Sequence, residues 1–385
     1  MQMPNLSDPM VINGMRLRNR LVLAPITGCY CTTDAEVTDA SLGFYVQRSR
    51  DVGLAIVEAA TVRADGRGNP RSLGLWSDAQ GESVAKLATA IKAEGAAAVI
   101  QLSHAGGRSV PVEGGLRGPS PSGVAFRPDV EPTVLGFSQI ADIAGDFVAA
   151  AVRARDAGFD GVELHGAHFT LLGQFLSPLT NHREDRYGGS AAGRATFSVE
   201  VVRAIREKLG PDFPILFRLN AMETVEGGQT PEDAAVIARL LEEAGVDAIH
   251  ASLATVSWKK IDGKAYLQST AALAKDKPRG GALQYASVVK KAVQVPVIAV
   301  GKIGAREARA AVEDGMADMA AIGRQMIADP RAAGKILSGR DEEIVQCKEC
   351  LSCFNSIGKG MPIVCSTNRN VTGTPEYRPA LSRRR

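Results

Sequence analysis

Cys347, Cys350 and Cys353 follow one another at two-residue gaps and Cys365 comes after eleven more, so four of the six cysteines fall within nineteen positions. Three thiols so spaced converge on one small object only if their loop curls around it, the fourth closing from the far side. Two objects suit four thiolates: a tetrahedral zinc ion and an iron–sulfur cluster. Zinc sites usually pair two C-x2-C knuckles, whereas three early cysteines and one late one match many 4Fe–4S loops, and the cluster is the favoured reading. The plainer alternative is a set of free thiols in a reducing compartment. Cys29 and Cys31 stand apart and read as packing residues.

The remaining chemistry-bearing residues are dispersed. His165 and His168 form an H-x-x-H pair, Gln101 and Arg218 sit within apolar runs, and Gly301, Gly323 and Arg324 end two others. Glycines at run ends ahead of helix starts make an amide-rich pocket suited to a phosphate, and Arg324 adds a charge-assisted contact. A Gln and an Arg at neighbouring strand ends suit the polar edge of a flat, reducible heterocycle. Each also has a structural reading: the histidines as a buried hydrogen-bonded pair, Arg218 as an ion-pair partner, Gln101 as a loop cap. A cation inside an apolar run is, however, costly without an anion to meet. His104, His182 and His250 read as structural, and Ser190 as the N-cap that follows Tyr187-Gly188-Gly189.

These side chains need a scaffold. Apolar runs at 21–24, 54–58, 97–102, 161–164, 214–219, 247–251, 296–300 and 317–322 make eight, with alanine-rich helical stretches at 83–94, 140–156, 190–208, 231–244, 287–293 and 305–314 between several of them. Strands buried on both faces and followed by helices predict an α/β fold, a (β/α)8 TIM barrel, with chemistry at the C-terminal strand ends. A doubly wound open sheet is the rival, weakened by the lack of G-x-G-x-x-G after the first run. Residues 2–17 are expected to form a lid over the barrel floor. The barrel (1–340) and a C-terminal cysteine-rich loop and tail (341–385) read as one unit, since no low-complexity linker divides them.

At 385 residues, 45% hydrophobic and 23% charged, the chain can bury a large core. No apolar run approaches the roughly 20 residues of a membrane span and the N-terminus lacks a signal pattern, so a cytoplasmic protein without membrane partners is expected. A net charge of +3 from 45 basic and 42 acidic residues gives no case for a nucleic-acid partner, and Arg383-Arg384-Arg385 reads as a frayed tail.

Jointly, Leu23-Ala24-Pro25-Ile26-Thr27, Gln101-Leu102-Ser103-His104-Ala105-Gly106, His165-Gly166-Ala167-His168 running on to Gln174-Phe175-Leu176-Ser177-Pro178, Asn181-His182-Arg183 through Ser190, and Ile322-Gly323-Arg324 with Ala328-Asp329-Pro330 resemble the old yellow enzyme family of FMN-dependent NADH:flavin oxidoreductases. The likeness spans residues 5–370. The cysteine loop, with Cys365-Ser366-Thr367-Asn368 and Glu376-Tyr377-Arg378, is similar to the iron–sulfur branch that includes trimethylamine dehydrogenase and 2,4-dienoyl-CoA reductase. The resemblance implies FMN, NAD(P)H as reductant and a 4Fe–4S cluster held by Cys347, Cys350, Cys353 and Cys365. It implies a flavin bound along Ala24, Pro25, Ile26 and Thr27, with Thr27 near O4 and N5. Ala60 and Gln101 would contact the pyrimidine ring, Arg218 the N1 and O2 edge, and Gly301, Gly323 and Arg324 the phosphate. His165 and His168 would anchor a substrate oxygen above the ring, polarising a small organic substrate for hydride transfer.

Two departures matter. Most ene-reductases place a proton-donating Tyr two residues after that pair, where this chain has Thr170, so water or Tyr30 is expected to serve. Trimethylamine dehydrogenase attaches its flavin through a cysteine at the position of Thr27, so noncovalent FMN is expected. Iron–sulfur relatives usually continue into nucleotide-binding domains, and this sequence ends at Arg385, so either a separate electron-transfer protein exchanges electrons with the cluster, or the chain is part of a longer one, or the loop houses no cluster; a homo-oligomer stays open. Reduction of an activated alkene is the first expectation and oxidation of a methylated amine the second. A non-redox barrel lyase with structural zinc is a third; its Schiff-base lysine would have to be Lys302, past a strand end.

Overall fold

The computed structural model describes residues 4–373 apart from 271, 272, 274 and 275. Gln2 and Met3 of the expected lid, Glu376, Tyr377 and Arg378, and the terminal arginines lie outside the described residues. A hairpin of β1 (Met10–Ile12) and β2 (Met15–Leu17) precedes β3 (Leu21–Leu23), α1 (Asp39–Ser49), β4 (Leu54–Thr61), α2 (Asp78–Ala93) and β5 (Ala97–Ser103). Then come α3 (Phe137–Asp156), β6 (Gly161–Gly166), α4 (Leu171–Leu176), α5 (Ala191–Leu209), β7 (Ile215–Glu223), α6 (Pro231–Glu243), β8 (Ala248–Ile261) and β9 (Lys264–Thr270). The chain continues through α7 (Leu283–Ala292), β10 (Val297–Val300), α8 (Ala305–Glu313), β11 (Met319–Ile322), α9 (Arg324–Ala328), α10 (Ala332–Leu337) and α11 (Ser352–Ile357).

Strands β3, β4, β5, β6, β7, β8, β10 and β11 pair in parallel, and the ring closes where β11 meets β3 (Ile322 opposite Leu23) and β10 meets β8 (Ala299 opposite Ala251). This is the (β/α)8 TIM barrel, and every one of the eight apolar runs supplies one of its strands. Alternation sets the two faces: Leu21, Leu23, Ala55 and Val57 join the outer core against the helices, while Val22, Leu54 and Ile56 fill the interior. Ile12, Met15 and Leu17 pack into that interior cluster, so the N-terminal hairpin seals the barrel floor as expected. Helix entries follow ordinary capping, including Ser190, whose Oγ accepts from Gly193 N at 3.2 Å.

Strand β9 was not foreseen. Residues 257–260 are exposed, so no apolar run marked them, and β8 runs on to Ile261 before turning back through Asp262-Gly263. Both turn residues have positive φ, 48° and 77°, as a two-residue hairpin turn requires. The cysteine-bearing tail packs on the barrel: Ile344, Ile363 and Val371 join the outer core, and Ile363 N donates to Gly28 O at 3.0 Å. No helix among the described residues is long and apolar enough to cross a membrane.

Candidate active site

A cavity of about 800 Å3 opens at the C-terminal strand ends. Ala24, Pro25, Ile26 and Thr27 line it after β3, Gln101 on β5, His165 on β6, Arg218 on β7, Gly301 after β10, and Gly323 and Arg324 after β11, with His168 beside them. Cys347 and Cys353 border the same space. Two expected residues do not. Register shifts between Val57 and Ala60 on β4, and Ala59 lines the cavity while Ala60 faces the outer core. Tyr30 is buried in the outer core, and its hydroxyl donates to the Ile363 carbonyl at 3.1 Å, turned from the cavity. It is therefore not placed to protonate a substrate there.

Beneath the cavity lies a polar network that the sequence did not announce. Glu163, fully buried on β6, accepts from Gln101 Nε2 at 2.6 Å and meets His250 Nδ1 at 2.7 Å. Carboxylate Oε1 as acceptor orients the Gln101 amide. Arg218 donates through Nη2 to Ser252 Oγ at 3.3 Å, and its Nε is buried without a partner among the described residues. Burial pulls the guanidinium down to about 10, opposed by the charge of Glu163. A buried donor left unpaired at a cavity wall suits a ligand with an electron-rich edge.

The two histidines come together, each engaged by a neighbour. His165 Nε2 and His168 Nδ1 are 3.1 Å apart, His168 Nε2 is 2.8 Å from Ser252 Oγ, and Asn220 Oδ1 accepts from His168 N at 3.1 Å. His168 and Phe169 hold φ of 53° and 57°, a left-handed turn that non-glycine residues rarely adopt. Burial, then the charges of Arg218 and Arg108 among others, hold both imidazoles well below their ordinary value and so neutral. Thr170 donates its hydroxyl to the carbonyls of His165 and Ala167, so its proton is committed to the main chain. Arg108 donates to the carbonyl of His168 at 2.5 Å. Seven basic side chains line the cavity (Arg108, Arg127, Arg218, Arg279, Lys302, Arg324, Lys359) against one carboxylate, Glu349.

At the far end, Gly301 (φ 133°) and Lys302 (φ 53°) turn the chain after β10, and Arg324 Nη1 donates to Leu273 O at 3.3 Å. Lys302 and Arg279 each lie 2.9 Å from the carboxylate of Glu349. Behind the β3 end, Glu58 accepts from Gly28 N at 3.1 Å, and burial pushes it up to about 8. Burial and that carboxyl raise Cys29 to about 12 and Cys31 well above the usual thiol, so both are inert packing residues, as read from sequence.

Cys347, Cys350, Cys353 and Cys365 line one small second cavity beside Arg324 and Ile327. Glu349 and Leu351 alternate with the cysteines at φ of 56° and 57°, which curls the loop. Thr367 N and Asn368 N each donate to Cys365 Sγ at 3.4 Å. Amides turned inward around such a curl make an anion-favouring concavity of the kind found at iron–sulfur sites. Among the described residues no group of three or more His, Cys, Asp or Glu side chains is arranged to hold a metal ion, so the thiols ring a space without meeting at a point. His104 is structural: its Nδ1 accepts from Gly106 N at 3.0 Å. Glu163 and Ser252 belong to no motif and Glu349 sits within the C-x2-C run without being one of its thiols, so only the fold reveals their partners.

Three comparisons bear on this geometry. The chain is 38% identical over 374 residues to an NADH oxidase of Thermoanaerobacter brockii, covering 95% of this chain and 56% of that protein. It is 33% identical to an NADPH dehydrogenase of Bacillus subtilis (strain 168), covering 86% of this chain and 95% of the relative. A solved 2-naphthoyl-CoA reductase in complex with 2-naphthoyl-CoA superposes with a TM-score of 0.88 at 27% identity, over 96% of this chain and 57% of that one. The chain thus spans little more than half of two of these three. The profile of the NADH:flavin oxidoreductase / NADH oxidase family matches residues 5–343, and the chain belongs to that family.

Proposed function

We propose that the chain binds FMN across the strand ends and reduces an activated alkene, an enone or enoate, with NAD(P)H as the source of hydride. When bound, FMN supplies a ring nitrogen, N5, that accepts and returns a hydride. Thr27 and the 24–26 segment line one edge of the ring site, Gln101 and Ala59 the pyrimidine side, and Arg218 the N1 and O2 edge. Gly301, Gly323 and Arg324 hold the phosphate. The observation that carries the reading is Arg218, a buried cation with one unpartnered nitrogen, lining a cavity large enough for the ring.

His165 and His168, kept neutral, would polarise a carbonyl oxygen without carrying charge once the substrate takes the place of one of their present ring partners. The cavity's excess of cations favours a substrate that develops negative charge at oxygen, and disfavours the ammonium form of a methylated amine. A thioester carbonyl would serve as well as a ketone, in keeping with the acyl-CoA bound by the structural relative. With Tyr30 turned away and Thr170 committed, the proton for the α-carbon comes from water. The four loop cysteines would hold a 4Fe–4S cluster, which would supply single-electron chemistry; their shared cavity and the curled backbone support this.

Anaerobic stopped flow tests the direction. Rapid bleaching of the flavin by NADPH, followed by reoxidation with 2-cyclohexenone, is the expected result. Bleaching by secondary or tertiary amines without nicotinamide would replace this reading with amine oxidation, and a colourless protein with the zinc lyase.

A further inference from the structure

Residues 348–356 carry two of the four clustered cysteines, yet among the described residues this stretch makes few polar ties to the barrel. Before it, Cys347 N donates to Gln325 Oε1 at 3.1 Å; after it, Asn69 Nδ2 donates to Ile357 O at 3.0 Å. Between those points the ties are the two ion pairs of Glu349, to Lys302 Nζ and Arg279 Nη2 at 2.9 Å each. The Glu349 and Lys302 side chains are 13% and 5% exposed, so neither charge is left to solvent; Lys302 Nζ also donates to the Lys277 carbonyl, and Glu349 is shared with Arg279.

Lys302 follows Gly301, and Arg279 and Arg324 border the same end of the cavity, so three cations and one carboxylate surround the phosphate-binding turn. They leave two net positive charges, which matches a phosphate monoester carrying about −1.5 to −2 at pH 7. Glu349 thus fixes the cations of a phosphate site from a loop whose other side chains serve the thiol cavity.

Resting on the flavin reading above, we propose that Glu349 is a positioning residue that couples the two sites: phosphate bound at Lys302, Arg279 and Arg324 holds the cysteine loop seated, and the seated loop holds those cations for the phosphate. Linkage makes the effect reciprocal. The phosphate, and not the ring, is the part of FMN that the loop senses.

Hydrogen exchange of backbone amides 348–356 in the full chain provides the test, comparing FMN with riboflavin in wild type, Glu349→Gln and Glu349→Asp. In wild type FMN slows exchange in this stretch about tenfold more than riboflavin does. Glu349→Gln abolishes the difference and narrows the preference for FMN over riboflavin, while Glu349→Asp, one methylene shorter, restores part of both. Direct shielding by the ring would instead persist in Glu349→Gln and be as strong with riboflavin; either result overturns the coupling and leaves the flavin reading intact. Absence of FMN binding, read in the same samples by flavin fluorescence, overturns both.

Discussion

Replacing Arg218 by Met keeps most of the side-chain stem and removes the buried charge. Burial holds the guanidinium at about 10, well below its ordinary value. At about 1.4 kcal/mol per pK unit, burial therefore disfavours that charge by roughly 3 kcal/mol. A negative ring edge about 4 Å away, in an effective dielectric of about 20, returns about 4 kcal/mol. The two figures are of one size, so Arg218 is a charge installed for a ligand and not for the fold. Arg218→Met should leave the flavin-free chain at least as stable as wild type, since a disfavoured buried charge is removed and Glu163 keeps Gln101 and His250 as partners. The reduced, more negative ring loses the larger share of that attraction. At about 30 mV per 1.4 kcal/mol for a two-electron couple, the flavin potential should fall by about 60–90 mV. Equilibration against redox dyes of known potential measures it, with urea unfolding of the flavin-free protein alongside. An unchanged potential, or a variant that unfolds far more easily without flavin, would refute this argument and return Arg218 to a structural role.

Two further outcomes follow from particular residues. His165 and His168 are held neutral in the fold and titrate normally when unfolded, so the unfolded chain binds the extra protons and stability falls as pH drops below about 6.5. His168→Asn should reduce that slope between pH 6 and 5 by about 1.4 kcal/mol per pH unit in urea titrations, and an unaltered slope would mean His168 is protonated in the folded state. Gly53→Ala should destabilise the chain by about 1–3 kcal/mol with no change in flavin affinity, because the new Cβ would collide with the main-chain carbonyl of Asn19 at the floor, away from the cavity. A thermal shift within error of wild type would contradict that packing.

The barrel was legible because parallel strands buried on both faces leave continuous apolar runs, and those runs are hard to mistake when eight recur. What failed to show follows from the same physics. The β8–β9 hairpin extends beyond the core, so Ser257, Trp258, Lys259 and Lys260 carry no apolar signal, although Asp262-Gly263 is a turn dipeptide that marked the reversal. Ala60 was placed one residue off because an irregularity in β4 exchanges the faces of neighbouring side chains, which sequence alternation cannot reveal. Tyr30 lies close to Thr27 in sequence and still points into the outer core. The histidine pair, Gln101 and Arg218 line one cavity because strand ends of a barrel converge. Glu163, Ser252 and Glu349 went unseen because their importance lies in partners distant in the chain.

On the proposed function, the strand ends of this chain grip FMN by its ring edge and its phosphate together. Titrating FMN into the flavin-stripped full chain and following quenching of flavin fluorescence tests it most directly. Saturation at one FMN per chain is expected, with riboflavin binding more weakly and Arg324→Gln erasing that preference. No saturable binding, or equal affinity for FMN and riboflavin in the wild-type chain, would contradict it.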